Sequence, residues 1–528
     1  MRLRPSSITL GLAAAACAFA WMWSSPASGR EASERAPEAA PGVVVICLDT
    51  LRADALSLDS GRPVRMPRLE AFASESVAFA DAQSAAAWTV PAVATLLSGL
   101  EPEHTGVYGL PDRVRPMSTM VPTLARALSA AGYVTSSITS SAWTGPDASA
   151  LLGFDEGLVG LDQNPEAVLE AWNRRRAPDR PFLLFLHSLA AHEPYLDKGR
   201  GRADRAPVDP AAAAAAGRLR EFDAADLARL RRIEDLVHAG SEPSFQDFAW
   251  MYELRVASAA TYEGLYGELG RLPTARRLAL QGSTQRWLDD ACEREPRTAE
   301  LGARLARIYE AGLASVDRAF GRILDSLASL RLPKETLIVV CGDHGEAFGE
   351  HGTLNHGRRL FDEVLRVPLL VQAHGRMGAP RVVHGPIGLV DVTPTILEWA
   401  GRPASGLDGV SLLGVADGPS PDRAIRSVEE RQVFDERGAH VVRLTSIRTA
   451  RARGILRVDA VDDTFLGADV YDLAVDPREQ HPIPATRIER PERFGDAFAS
   501  AWRARLPALP KRAASPSGGP EVGGFLPR

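Results

Sequence analysis

From residue 42 onward the chain alternates short, unbroken apolar runs with stretches of helical periodicity. The runs are "GVVVICLD" (42–49), "YVTSSIT" (133–139), "PFLLFLH" (181–187), "TLIVVCGD" (336–343) and "RVPLLVQ" (366–372). A strand with one wet face alternates apolar and polar residues, whereas these are apolar throughout. They predict strands covered on both faces, hence a mostly parallel sheet flanked by helices, an α/β fold. Between about 197 and 305 the strand pattern disappears. There "AAAAAAG" and "AADLARLRRIEDLVHA" predict a helical insertion. From about 421, "AHVVRLTSIRTA", "GILRVDAV" and "VYDLAVDP" predict a small antiparallel sheet, and residues from 511 predict a disordered tail. No internal repeat is present. The expected layout is a catalytic domain over 42–420 with its insertion, a C-terminal β subdomain over 421–510, and a tail over 511–528.

The first 41 residues follow a different rule. "MRLR" is a basic start, "ITLGLAAAACAFAWMW" is apolar but short for a spanning helix, and "SSPAS" offers small residues for cleavage after Ala27. Residues 1–27 are therefore either a signal peptide or a retained N-terminal anchor, with Trp21 and Trp23 placed for an interface. Residues 28–41 read as a disordered linker. The expected location is periplasmic or secreted, with membrane contact only through this segment.

Composition narrows the function classes. The 528 residues carry a formal net charge of −6, and no Lys/Arg stripe is interleaved with aromatics, which argues against a nucleic-acid partner. Of the four cysteines, Cys17 falls in the N-terminal segment, Cys47 and Cys341 in apolar runs, and Cys292 in a charged helical stretch. No disulfide framework or CxxC spacing is present.

The candidate chemistry gathers where the strands end, the edge of an open parallel sheet at which ligands bind. The first run ends on Asp49, the third on His187 with His192 shortly after, and the fourth on Asp343 and His344. Adjacent Asp343 and His344 offer carboxylate oxygen and imidazole nitrogen, donors suited to Mn, Zn or Mg. Thr89 stands two residues before Pro91 at the mouth of a short helix. It is either an N-cap, or a nucleophile in the field of the helix N-terminus. His187, still within its strand, reads as scaffold. Arg52 is either an oxyanion contact or, the favoured reading, an ion pair with Asp54; Asp317 reads as structural, and His351 as a residue supporting the site from behind.

Together, "VVVICLDTLRADALS", "TVPAVATLLSGLEPEHTGV", "FLLFLHSLAAHEPY", "CGDHGEAFGEHG", "NHGRRLFDEVLRVPLLV", "DVTPTILEWAG" and "VYDLAVDPREQ" resemble, in order, the sulfatase family of the alkaline phosphatase superfamily. The resemblance implies a central mixed sheet flanked by helices, a small C-terminal sheet, and a divalent metal at the strand ends. It implies that Asp49, Asp343 and His344 match metal-ligand positions and that His192 and His356 match positions lining the ester site.

The chain also departs from that pattern. Thr89 stands where sulfatases carry the Cys or Ser that becomes formylglycine, Val93 replaces the arginine of C-x-P-x-R, and Thr50 replaces a second metal carboxylate. The segment around Thr89 resembles nucleotide phosphodiesterases and phosphoglycerol transferases of the same superfamily, in which Thr is the nucleophile. Ala190 and Ala191 leave no carboxylate beside His192 for a second metal. The expectation is one divalent ion (Mn, Mg, Zn or Ca), no formylglycine, and catalysis by Thr89, His192 and His356. The substrate is expected to be a phosphoester or phosphonate ester, small or linked to the envelope or a lipid, and the enzyme either hydrolyses it or transfers its phosphoryl group. The alternatives are a sulfuric ester hydrolase and a catalytically inactive sulfatase-like binding protein.

Overall fold

The computed structural model describes residues 42–505 except 57, 59–64, 110–116, 196–221, 258, 287, 289–291, 293–294, 374–375, 416–421 and 436–437. The expectations for residues 1–41 and 511–528 lie outside the described residues.

Eight strands form the main sheet: β1 (Val43–Leu48), β2 (Val77–Phe79), β3 (Val134–Thr139), β4 (Glu156–Val159), β5 (Phe182–Ser188), β6 (Leu337–Gly342), β7 (Leu369–Gln372) and β8 (Arg381–Val383). Their order is β8-β2-β7-β6-β1-β5-β3-β4. Only β7 runs against the others, pairing antiparallel with both β2 and β6. β1 is central, in parallel register with β5 (Val43↔Leu183) and β6 (Val43↔Leu337). The unbroken apolar run of β1 has a direct cause. Val44, Ile46 and Leu48 enter one core and Val43, Val45 and Cys47 the other, so both faces are covered by protein.

The helices that matter here are α1 (Thr89–Ser98), α2 (Ala224–His238), α3 (Phe245–Ala257), α4 (Ala259–Arg271), α5 (Thr274–Arg286), α6 (Thr298–Ser329), α7 (Val392–Trp399) and α8 (Asp496–Arg505), with others between. α1 and α7 pack on one face through Leu96, Leu97 and Ile396. α6 packs on the other through a continuous stripe that includes Leu301, Leu305, Ile308, Leu313, Val316, Phe320, Ile323 and Leu327. This stripe carries the helix unbroken across position 305, where the sequence reading ended the insertion.

α2 to α5 share a small core of their own, including Leu230, Ile233, Met251, Leu265 and Leu280. They are also sewn to the main body, because Phe245, Phe248, Tyr252 and Val256 of α3, and Cys292 beyond α5, enter the same core as α6. Cys292 is thus buried, despite its charged sequence neighbours, as are Cys47 and Cys341.

The C-terminal sheet is an antiparallel meander of β9 (Ile425–Asp435), β10 (Gly438–Arg448), β11 (Ala452–Asp459), β12 (Phe465–Asp472) and β13 (Ile483–Pro484). α8 closes one face, and Gly454 is required there. A Cβ at that position would lie 2.3 Å from the Trp502 ring. The sheet meets the main body through Arg453, fully buried, whose guanidinium bonds Glu479, Asp362, the Leu360 carbonyl (3.2 Å), Ser446 Oγ (2.8 Å) and Gln83 Oε1 (3.0 Å).

Candidate active site

The strand ends of β1, β5 and β6 converge. Asp49 follows β1, and its N–H continues the ladder to the Ser188 carbonyl at 2.9 Å. The next residue, Thr50, takes a left-handed backbone with φ 59°, uncommon for a β-branched side chain. Three contacts hold that turn: Thr50 N–H to Asp343 Oδ1 (3.2 Å), its hydroxyl to the Asp49 carbonyl (2.7 Å), and Tyr309 OH to the Thr50 carbonyl (3.1 Å). The Thr50 hydroxyl is therefore committed to the backbone. Asp343 and His344 follow β6. The His344 Nδ1–H donates to the Gly345 carbonyl at 2.9 Å, which fixes the tautomer and leaves Nε2 as the donor atom for a ligand.

His344 Nε2 stands 3.7 Å from Asp49 Oδ1 and 3.6 Å from Asp343 Oδ2. Thr89 Oγ1 completes the group at 3.3 Å from His344 Nε2 and 3.4 Å from Asp49 Oδ2. All four residues are buried.

Thr89 is not the helix cap. Trp88 occupies the N-cap position of α1, and no side chain accepts a cap hydrogen bond there. The Thr89 hydroxyl faces the carboxylates instead. Its approach segment is clamped from two sides: β9 reaches it through Val428 N–H to the Ala85 carbonyl (2.9 Å), and Gly357 N–H bonds the Ala87 carbonyl (2.7 Å). Ser427 Oγ also donates to the Ser84 carbonyl at 2.7 Å. The C-terminal sheet thereby helps place a side chain of the main sheet's edge.

Sequence reasoning took His187 for scaffold, yet it belongs to this cluster. Its Nδ1 lies 2.6 Å from Thr144 Oγ1, and its Nε2 lies 3.3 Å from Asp49 Oδ2 and 3.8 Å from Asp343 Oδ2, off the line of a good hydrogen bond. The signal that could have found it was its place as the penultimate residue of β5, paired with Cys47 in register, just short of Asp49.

The electrostatics describe an excess of negative charge. Burial pushes Asp49 up, but the facing His192, His187 and His344 outweigh it and hold its carboxyl well below the usual range. Burial and the neighbouring Asp49 push Asp343 up. Burial alone would lower His187 and His344, yet the two carboxylates raise both. Asp49 Oδ1, Asp343 Oδ2 and His187 Nε2 are buried without a hydrogen-bond partner. Buried acceptors left unpaired around one point suit a cation. Asp49, Asp343 and His344 present ligand atoms all within 4.8 Å of one another, and a second group of the same kind is Cys47, His187 and Asp343. Two carboxylates and an imidazole fit a divalent ion.

His192 and His356 stand beside this cluster. The His356 ring lies 4.6 Å from that of His344 and 5.4 Å from that of His192, centroid to centroid. The His192 Nδ1–H donates to the Glu193 carbonyl at 3.0 Å. Arg52 is held by Asp54 (2.8 Å) and Glu350 (2.6 Å), the former being the ion pair its spacing predicts. Asp317 accepts the Arg68 and Leu69 N–H groups at 2.9 Å each, a structural cap. His351 lies apart, stacked on Phe361 at 3.6 Å and bonded to Glu363 at 2.8 Å. A cavity of about 520 Å³ lined by Arg52, His351, Glu363 and Glu479 contains none of the Thr89 cluster.

The family model described as Sulfatase matches residues 41–402. Choline-sulfatase of Rhizobium meliloti (strain 1021) is 28% identical over 400 residues, covering 72% of each chain. Among solved structures, phosphonate monoester hydrolase of Agrobacterium radiobacter has a TM-score of 0.54 at 19% identity, covering 88% of this chain and 94% of that one. BT4656 in complex with its substrate D-glucosamine-2-N,6-O-disulfate has a TM-score of 0.56 at 19% identity, covering 88% and 96%. At these identities the solved structures speak for the fold. With the family model spanning most of its length, the chain belongs to the sulfatase family, a family of ester hydrolases.

Proposed function

We propose that this protein is a metal-dependent hydrolase or phosphotransferase acting on phosphoesters or phosphonate esters, with Thr89 as nucleophile. One observation carries the reading: the Thr89 hydroxyl serves no cap and sits within 3.4 Å of Asp49 Oδ2 and 3.3 Å of His344 Nε2. Asp49, Asp343 and His344 would hold one divalent ion. Such an ion lowers the pKa of a nearby hydroxyl and neutralises charge that builds on non-bridging oxygens.

The chain's own residues would divide the remaining work. Thr89 gives up its proton to solvent and its Oγ attacks phosphorus in line, the bond to the leaving oxygen breaks, and protonated His192 gives its Nε2 proton to that oxygen. His356 contacts a non-bridging oxygen. Water or an alcohol, giving its proton to the now neutral His192, then attacks phosphorus in line, the bond to Thr89 Oγ breaks, and the Thr89 oxygen takes a proton back from solvent. Threonine has no route to formylglycine, which supports phosphorus over sulfur. The substrate is a small or an envelope- or lipid-linked ester. We further propose that residues 1–27 direct export, which N-terminal sequencing of protein from the native host tests. Among the described residues no helix is long and apolar enough to cross a membrane.

A second reading, sulfuric ester hydrolysis, is favoured by the likeness to choline-sulfatase. The deciding experiment is turnover of p-nitrophenyl phosphate, bis(p-nitrophenyl) phosphate, a phosphonate monoester and p-nitrophenyl sulfate with Mn, Mg, Zn or Ca. Acid quenching with a slow substrate should trap a phosphoryl group on the peptide containing Thr89. Faster turnover of the sulfate ester, with no phosphoryl adduct, would favour the second reading.

A further inference from the structure

Glu346 lies two residues beyond His344 and is completely buried, so its charge has to be answered by protein. Its backbone is pinned on both sides, the N–H to the Glu363 carbonyl (3.1 Å) and the carbonyl to Arg52 Nη1 (2.7 Å). Each carboxylate oxygen has its own partner. Oε2 accepts the Tyr195 hydroxyl at 2.8 Å, and Oε1 lies 3.1 Å from His356 Nδ1. An ionised carboxylate only accepts, so the proton of that second contact sits on His356 Nδ1, and Nε2 becomes the working nitrogen.

Tyr195 is fixed in turn. Its N–H donates to the Val256 carbonyl of α3 at 2.7 Å, and its ring meets Tyr309 edge-on at 5.3 Å. Helix α6 presses on its backbone at Gly312, where a Cβ would come within 2.4 Å of the Tyr195 carbonyl oxygen. With Oε2 tied to a phenol that cannot turn, the carboxylate plane is set, and with it the plane of the His356 ring.

We propose that Glu346 is a positioning residue for His356, and that Tyr195 holds Glu346 in that role. Glu346 keeps His356 in the Nδ1–H tautomer and aims Nε2 at the ester oxygens beside His344 and His192. This rests on the reading of His356 as an ester contact. It gives the helical insertion a part in catalysis that its distance along the chain hides. α3 anchors the tyrosine that orients the carboxylate that orients the histidine.

The test uses the full-length, metal-loaded protein with Glu346→Gln and Tyr195→Phe. The amide of Glu346→Gln has the same shape, but it can present N–H as well as C=O to His356 and loses the ionic hold. Loss of such outer partners typically lowers activity about 10–100-fold. We expect a fall of that size in kcat on p-nitrophenyl phosphate or sulfate, with KM within about twofold, the mark of an interaction used mainly in the transition state. Tyr195→Phe should show the same split, several-fold smaller. Histidine-selective 15N NMR, with His356 assigned through His356→Asn among the 11 histidines, should show the Nδ1–H form in wild type and a shifted or mixed tautomer in Glu346→Gln. Metal content should be unchanged.

An unaltered His356 tautomer in a folded variant would overturn the proposal, as would a kcat loss matched by loss of metal. If Glu346→Gln does not fold, Tyr195→Phe decides by the same readouts. If wild type turns over neither ester, the proposed function fails, while the NMR comparison still decides whether Glu346 sets His356.

Discussion

Among the described residues, two clusters of charge are built on opposite plans. At the junction between the sheets, Arg453 directs its guanidinium to Glu479, Asp362, Gln83, Ser446 and the Leu360 carbonyl, and each acceptor has its donor. At the strand ends, Asp49 and Asp343 face two histidines and a threonine, and buried oxygens of both carboxylates stay unpartnered. The first cluster is closed by its own residues. The second leaves acceptors that a cation from outside would complete. Buried charge by itself therefore marks neither stability nor function; the unmatched acceptors do.

The largest expected effect breaks the open cluster at its hydroxyl. Thr89→Ala should lower kcat by at least about 10⁴-fold, the scale on which removal of a nucleophile acts. Because Thr89 caps nothing, the melting temperature should move little. Thr89→Ser should keep measurable turnover. A Thr89→Ala protein with near wild-type kcat would remove the hydroxyl from the mechanism.

The next effect belongs to the closed cluster. Arg453→Met leaves the fully buried Glu479 without its cation and strips the partly exposed Asp362 of one of three arginines, and removing one partner of a buried pair costs about 3–5 kcal/mol. Urea unfolding should read that loss, while kcat of the protein that remains folded should change only a few-fold. A stability loss below about 1 kcal/mol would show that the junction does not depend on this arginine.

Metal removal sharpens the contrast. A ligand present at a hundredfold over its Kd stabilises by about 2.7 kcal/mol, so chelation should lower the melting temperature of wild type. In Asp343→Asn the two carboxylates no longer repel. The stripped variant should therefore be at least as stable as stripped wild type and should not respond to added metal. Equal melting curves of wild type with and without chelator would take the cation out of the strand-end cluster.

The sequence made the two clusters unequally legible. Asp49, Asp343 and His344 could be read because each ends an unbroken apolar run, and a parallel sheet presents such ends on one edge. His187 was missed because an inward histidine one residue before a strand's end looks the same as a core histidine. Register and facing alone distinguish them. Glu346 gave no sign, since its partners Tyr195 and His356 lie 151 and 10 residues away. The role of α3 was hidden for the same reason. Its helical period is plain, but not the Val256 carbonyl that holds Tyr195. β9 went unread because "IRSVEERQVFD" is too charged to resemble a strand until it pairs with β10 along its length. Local pattern carried the elements, and contacts distant in sequence carried the junctions between them.

The smallest expected effect is a pH dependence carried by Asp362 of the closed cluster. Burial works to raise Asp362, but the charges of Arg453, Arg448 and Arg366 outweigh it and bring its carboxyl down from 3.8 to about 2. The unfolded chain therefore takes up this proton first as pH falls. The stabilisation is complete above about pH 4 and is lost as pH drops through about 2, amounting to roughly 2 kcal/mol. Glu479 does not add to this window, because burial pushes it up despite Arg453. Urea midpoints measured between about pH 2 and pH 5 should show the acid limb in wild type. The limb should be flatter in Asp362→Asn, which cannot take up the proton, and partly flattened in Arg453→Met, where the largest of the three arginine attractions is gone while Arg448 and Arg366 remain. An identical limb in wild type and Asp362→Asn would mean that other carboxylates carry the acid dependence and that the arginine cage at the junction holds no special charge.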